Sequence, residues 1–106
     1  MSRARREQHL YRDGTYSADG VYGSRPSTIG VTITLDEDVL TNVGVTPHAT
    51  DPTSRAYQQA FADSVPRAVV GKRIDEVQVG RLAGASGVPI GFNDAILHIR
   101  AEARED

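Results

Sequence analysis

Between Leu82 and Ile96 the chain reads LAGASGVPIGFNDAI, a run of small residues that opens into an apolar stretch with helical spacing. Gly84, Ala85, Ser86 and Gly87 carry little side-chain bulk, so a ligand can approach their backbone N–H groups. The free N–H groups of a helix N-terminus attract anions, and Ser86 adds a hydroxyl beside them. Phosphate binding is the chemistry this combination serves, with one nucleophilic or hydrogen-bonding oxygen next to the phosphate. The same residues also suit a plain helix cap that lets two elements pack closely.

Other constellations are thinner. His9, His48 and His98 lie far apart, and none has metal-ligand spacing. Each reads as a solvent-exposed or internally satisfied imidazole. Asp36-Glu37-Asp38 suits a turn and Asp75-Glu76 a strand entry, so neither suggests a shielded carboxylate pair. Ser54, Ser64 and Ser86 have no recognisable base partner, which argues against a hydrolase. The chain has no cysteine, so disulfides, thiolate nucleophiles and cysteine-ligated metal sites are excluded.

With 106 residues the chain is the length of one small domain, whose chemistry belongs on a cleft or an edge. Its 12 basic and 14 acidic residues give a net charge of -2, which argues against a nucleic-acid partner. The one basic cluster, Arg3, Arg5 and Arg6, is offset by Glu102, Glu105 and Asp106 and reads as part of a solvated tail over residues 1–10. No apolar run approaches the roughly 20 residues that span a bilayer. With no leader ahead of the domain, the chain as given is expected in the cytoplasm. An upstream anchor, if Met1 were an artificial start, would instead place it at a membrane outside the cytoplasm.

The elements that position the small-residue turn follow from periodicity. Thr15 to Gly23 alternates, with Tyr16, Ala18, Gly20 and Tyr22 on one face. A turn is expected over Ser24 to Ser27, around Pro26. Ile29, Val31, Ile33 and Leu35 mark a second strand. After the acidic reversal, Val39 to Thr46 returns with Val39, Val43 and Val45 on the buried side. Thr50-Asp51-Pro52 opens a helix whose apolar stripe is Ala56, Tyr57, Ala60 and Phe61. Ser64-Val65-Pro66 is expected to interrupt it before a last turn closed by Gly71. Ile74 to Val79 reads as a fourth strand. From about Gly91 to Ala103, Phe92, Ala95, Ile96, Ile99 and Ala103 line one side of a final helix, with Asn93 and Asp94 on the wet side. The order predicts an α+β fold, a small antiparallel sheet of about four strands with two or three helices packed on one face.

In this order the residues resemble the FMN-binding domain of flavin-carrying subunits in sodium-pumping NADH:quinone reductases and Rnf electron-transport complexes, which also occurs in small stand-alone proteins. Leu82, Gly84, Ala85 and Ser86 match the family's apolar-x-Gly-Ala-Thr/Ser run, and Gly91, Phe92 and Ala95 match the helix after it. Tyr11-Arg12-Asp13-Gly14-Thr15-Tyr16 resembles the family's opening Tyr-x-Asp-Gly-x-Tyr. The strands from Ile29 to Val45, the helix after Pro52 and Gly71 fall in family order. The likeness covers roughly residues 11 to 103 of a single domain at 11–106.

The resemblance implies an electron-transfer module carrying FMN and serving a redox partner protein, rather than a stand-alone enzyme. It implies that Gly84, Ala85, Ser86 and Gly87 hold the phosphate. Where the family's flavin is covalent, a transferase esterifies the FMN phosphate to the motif hydroxyl, here Ser86. Tyr16 and Tyr22 are the aromatic candidates for the isoalloxazine ring. The chain departs from the pattern at Gly80, where an acidic residue is usual, at Ala83, and at Val88 and Pro89. These positions lie in the stretch a transferase reads, and they weigh against covalent attachment. The alternative is a flavin-free binding or structural domain that offers the same sheet to a protein partner.

Overall fold

Alternating β-branched residues build the centre of the molecule. Ile29, Val31, Ile33 and Leu35 point to one face of β2 (Ser27–Asp36), and all four are buried. The computed structural model describes residues 10–23 and 27–104. In it β2 is the middle strand of an antiparallel sheet, between β1 (Gly14–Tyr22) and β3 (Val39–Pro47). Arg3, Arg5, Arg6, His9, the turn around Pro26, Glu105 and Asp106 lie outside the described residues. So does the expected tail, except for Leu10.

β1 follows its predicted alternation. Tyr16, Ala18, Gly20 and Tyr22 turn inward, while Thr15, Ser17, Asp19 and Val21 face solvent. On the outer face, hydroxyls pair across the strands, Thr15 with Thr34 at 3.1 Å and Ser17 with Thr32 at 2.8 Å. Such cross-strand pairs each add a few tenths of a kcal/mol, up to about 1.

The reversal between β2 and β3 is the expected tight one, with Glu37 (φ 52°) and Asp38 (φ 70°) both in the left-handed region. Asp38 does more than turn the chain. It is 1% exposed, and its carboxylate accepts the Leu10 and Tyr11 amides at 2.8 and 2.9 Å. The Arg73 guanidinium approaches it at 3.4 Å, and the Ile74 amide donates to its carbonyl at 2.8 Å. A shielded carboxylate therefore exists in the acidic triplet after all, as a structural knot.

β3 corrects one expected face. The register shifts between Thr34 and Leu35, which pair with Asn42 and Leu40, so Thr41 is an extra residue in a bulge. The bulge turns Leu40 and Val43 into the core together and leaves Val39 half-buried, where simple alternation placed Val39 inside.

Helix α1 (Pro52–Val69) begins as predicted. Asp51 caps it by accepting the Ser54 amide at 2.9 Å, and Pro52 stands in the first turn. The Ser54 backbone N–H, then its hydroxyl, hold the Asp51 carboxyl below its ordinary value. Two other expectations for α1 fail. The helix runs unbroken through Pro66, because Phe61, Val65 and Val69 anchor both sides of the proline in the core. The buried stripe is Gln58, Phe61, Val65 and Val69, with Tyr57 exposed. A glutamine whose polar atoms are all satisfied occupies a core position that hydropathy assigns to an apolar neighbour.

Residues Ile74 to Val79 are not a fourth strand. Ile74–Glu76 is a 3₁₀ turn, and the extended segment after it has no backbone ladder. Asn93 takes the place of a strand: its side-chain amide donates to the Val79 carbonyl and accepts the Val79 N–H, both at 2.9 Å. Asn93 is thus half-buried rather than on the wet side.

Helix α2 (Val88–Ala103) buries Phe92, Ala95, Ile96, Ile99 and Ala103 as the spacing requires. It starts three residues earlier than expected because Val88 and Pro89 are themselves buried and proline favours the first turn. α2 packs on β1 and β2, and α1 on β3. Phe61 and Phe92 join the helices edge to face at 5.6 Å. The fold is α+β, with a three-stranded antiparallel sheet and two helices on one face.

Candidate functional site

The small-residue turn closes on itself before α2 begins. The Leu82 N–H donates to the Ala85 carbonyl at 3.0 Å, and the Ala85 N–H returns to Leu82 at 2.9 Å. The two residues between them, Ala83 (φ 54°) and Gly84 (φ 76°), are left-handed. Glycine adopts this shape freely, whereas for Ala83 it costs about 1 kcal/mol. The reversal pushes the Ala85 methyl into the core and leaves Ser86 exposed.

Gly87 then caps α2 without a side chain, and its carbonyl accepts the Ile90 and Gly91 amides at 2.9 and 3.4 Å. Pro89 has no N–H to offer. The amides of Ser86, Gly87 and Val88 make no hydrogen bond to a described residue. Three consecutive donors therefore stand at the positive end of a helix dipole, beside the Ser86 hydroxyl.

These residues form one wall of an open cleft of about 300 Å³, lined also by Tyr22, Ser27, Ser54 and Tyr57. Gly84, Ala85, Ser86, Gly87 and Tyr22, five of the residues marked out by the sequence, are thus brought together. Tyr16 is not among them. It shares a face of β1 with Tyr22, but six residues along a strand is about 20 Å. Its hydroxyl donates to the Arg12 carbonyl at 2.8 Å, at the other end of the sheet.

Tyr22 is held from two sides. Its ring lies against Gly87 and Gly91, so closely that a Cβ on Gly91 would come within 2.6 Å of it. Its hydroxyl accepts a hydrogen bond from the Gln58 amide at 2.8 Å. Gln58 is fully buried and fully engaged, donating also to the Thr28 carbonyl and accepting the His48 and Ala49 amides. Ser54, Tyr57 and Gln58 were not singled out by the sequence as site residues. The available signal was their place in the first two turns of α1 after the Asp51 cap.

Charge is sparse here. Among the described residues, no ionisable side chain other than the two tyrosines lines the cleft. The two described histidines do not line the cleft: His48 bonds Thr28 at 3.1 Å, and His98, largely exposed, lies 3.5 Å from Asp94. Among the described residues no three His, Asp or Glu side chains gather as a metal site, and no helix is long and apolar enough to cross a membrane. The cleft thus brings neutral hydrogen-bond donors together with two aromatic side chains, Tyr22 and Tyr57. No family model, curated protein or solved structure matches the chain.

Proposed function

We propose that the protein is an FMN-binding electron-transfer module that holds the flavin noncovalently in the cleft beside Ser86. The observation that carries this reading is that Ser86, Gly87 and Val88, whose amides bond no described residue, line one open cleft together with Tyr22. The donor set suits a phosphate: the Ser86, Gly87 and Val88 amides and the Ser86 hydroxyl would hold its oxygens, with the start of α2 stabilising their charge. Gly84 leaves the approach open, since nothing lies within 4 Å of where its Cβ would be. Tyr22 supplies aromatic surface.

Bound flavin supplies reversible electron transfer, and the protein contributes binding, orientation and control of the potential. In this reading the protein is a carrier that works with a redox partner protein. The exposed Ser86 hydroxyl is also the atom a transferase would esterify, though Val88 and Pro89 begin a buried helix where the family pattern has polar residues.

The test is titration of the purified chain with FMN and with riboflavin, which lacks the phosphate. FMN is expected to bind at least tenfold more tightly, and Ser86→Ala to reduce FMN affinity with an unchanged far-ultraviolet circular dichroism spectrum. Equal affinity for the two flavins would remove the phosphate assignment, and no binding of either would overturn the reading. Absorbance kept through denaturation, after co-expression with a flavin transferase, would replace noncovalent binding with an ester at Ser86.

A flavin-free partner-binding domain is the second reading. Ile90 and Leu97, both more than half exposed, stand seven residues apart on one face of α2. Val21 is exposed nearby, its amide bonded to Asp94 at 3.0 Å. A colourless protein that takes up neither flavin, together with loss of self-association or partner binding in Leu97→Ser, would favour it.

A further inference from the structure

Tyr22 has little freedom left to serve a ligand. Its ring lies across Gly87 and Gly91, and its phenol is tied to buried Gln58. The other aromatic residue of the cleft is in a different position. Tyr57 stands on α1, three residues after Ser54 and on the same helix face, and both line the cleft with Ser86, which lies just before α2. It is 49% exposed, although the buried stripe of α1 passes through its neighbour Gln58. Its hydroxyl makes no hydrogen bond to a described residue. A phenol with no hydrogen bond to any described residue thus borders the same cleft as Ser86, Gly87 and Val88.

We propose that Tyr57 is the residue that packs against the isoalloxazine ring. This rests on the flavin reading above. The ligand class is a flat heteroaromatic ring joined to a phosphate, and the two ends are recognised by different elements, the ring by α1 and the phosphate by the start of α2. Binding therefore spans the two helices through one small molecule.

The two ends separate experimentally. Tyr57→Ala is expected to weaken FMN and riboflavin alike, each about tenfold, as loss of a stacked ring does. Ser86→Ala is expected to weaken FMN alone. Emission gives a second readout. A phenol in contact with an excited isoalloxazine lends it an electron and takes it back, so light is lost without net reaction. The chain has no tryptophan, which leaves tyrosine as the quencher. Tyr57→Phe keeps a ring without the easily oxidised phenol. It is expected to retain affinity within about twofold and to raise the emission of bound FMN at least twofold.

Tyr57 is exposed, so neither substitution touches the core, and circular dichroism checks that the fold is kept. Flavin bound by the wild type, with affinity and emission unchanged in both Tyr57 variants, would overturn the role of Tyr57 and leave the flavin reading standing. Failure of the wild type to bind either flavin would overturn both.

Discussion

Asp51 links a single proton to the start of α1. Its carboxylate accepts the Ser54 amide, and the same bond, reinforced by the Ser54 hydroxyl, lowers its pKa. A carboxyl whose pKa falls on folding stabilises the folded state above its unfolded pKa, about 3.9 for aspartate. That contribution fades as the pH drops through the lower folded value. Asparagine caps a helix comparably but does not titrate in this range. Urea unfolding of wild type and Asp51→Asn between pH 6 and pH 2 should therefore show wild-type stability falling more steeply at the acid end. Parallel pH profiles would mean that the bond to Ser54 does not form in solution.

At the scale of elements, the seat of α2 on β1 is set by two glycines. A Cβ on Gly20 would overlap the Gly91 carbonyl, and Gly91 in turn admits the Tyr22 ring. Gly20→Ala must push helix and strand apart, at a cost of about 3 kcal/mol, visible as a lowered urea midpoint. A stability within 0.5 kcal/mol of wild type, roughly the range of an ordinary surface change, would show that the two elements do not meet this closely. This contact also marks where the sequence stops being legible. The faces of β1, β2 and α2 could be read because their periods of two and 3.6 are set by local geometry. The bulge at Thr41, the passage of α1 through Pro66 and the burial of Gln58 could not, because partners distant in sequence decide each of them. Asn93 imitates a strand by side chain alone, a substitution invisible to any pattern of hydropathy. The candidate site divides in the same way. Gly84 to Gly87 are contiguous and recognisable, whereas Tyr57 reaches the cleft only through helix packing, and Tyr16 leaves it through strand length.

Across the whole molecule, Asp38 joins three parts of the chain: the segment entering at Leu10 and Tyr11, the β2–β3 reversal, and the 3₁₀ turn through Arg73 and Ile74. Arg73 is shared, and its strongest bonds go to Asp75, which together with Asp38 keeps the guanidinium more firmly charged than usual. Asp38→Ala orphans two amides at once and should cost about 2–3 kcal/mol. Hydrogen exchange should then quicken at Tyr11 and at Arg12, whose amide bonds the Ala103 carbonyl, while the middle of β2 stays protected. Uniformly faster exchange would show instead that the three parts unfold together. The bond from the Val21 amide to Asp94 has a consequence for the molecule in a crowd. β1 is an outer strand, and its outward amides are the kind of template on which foreign strands add. A carboxylate from α2 already occupies one of them, and at the other margin Leu40 of β3 exchanges bonds with Gly71 and Lys72. A chain seeking to extend the sheet along β1 would first have to displace an anion, so this small sheet carries its own guard against growing into a fibre.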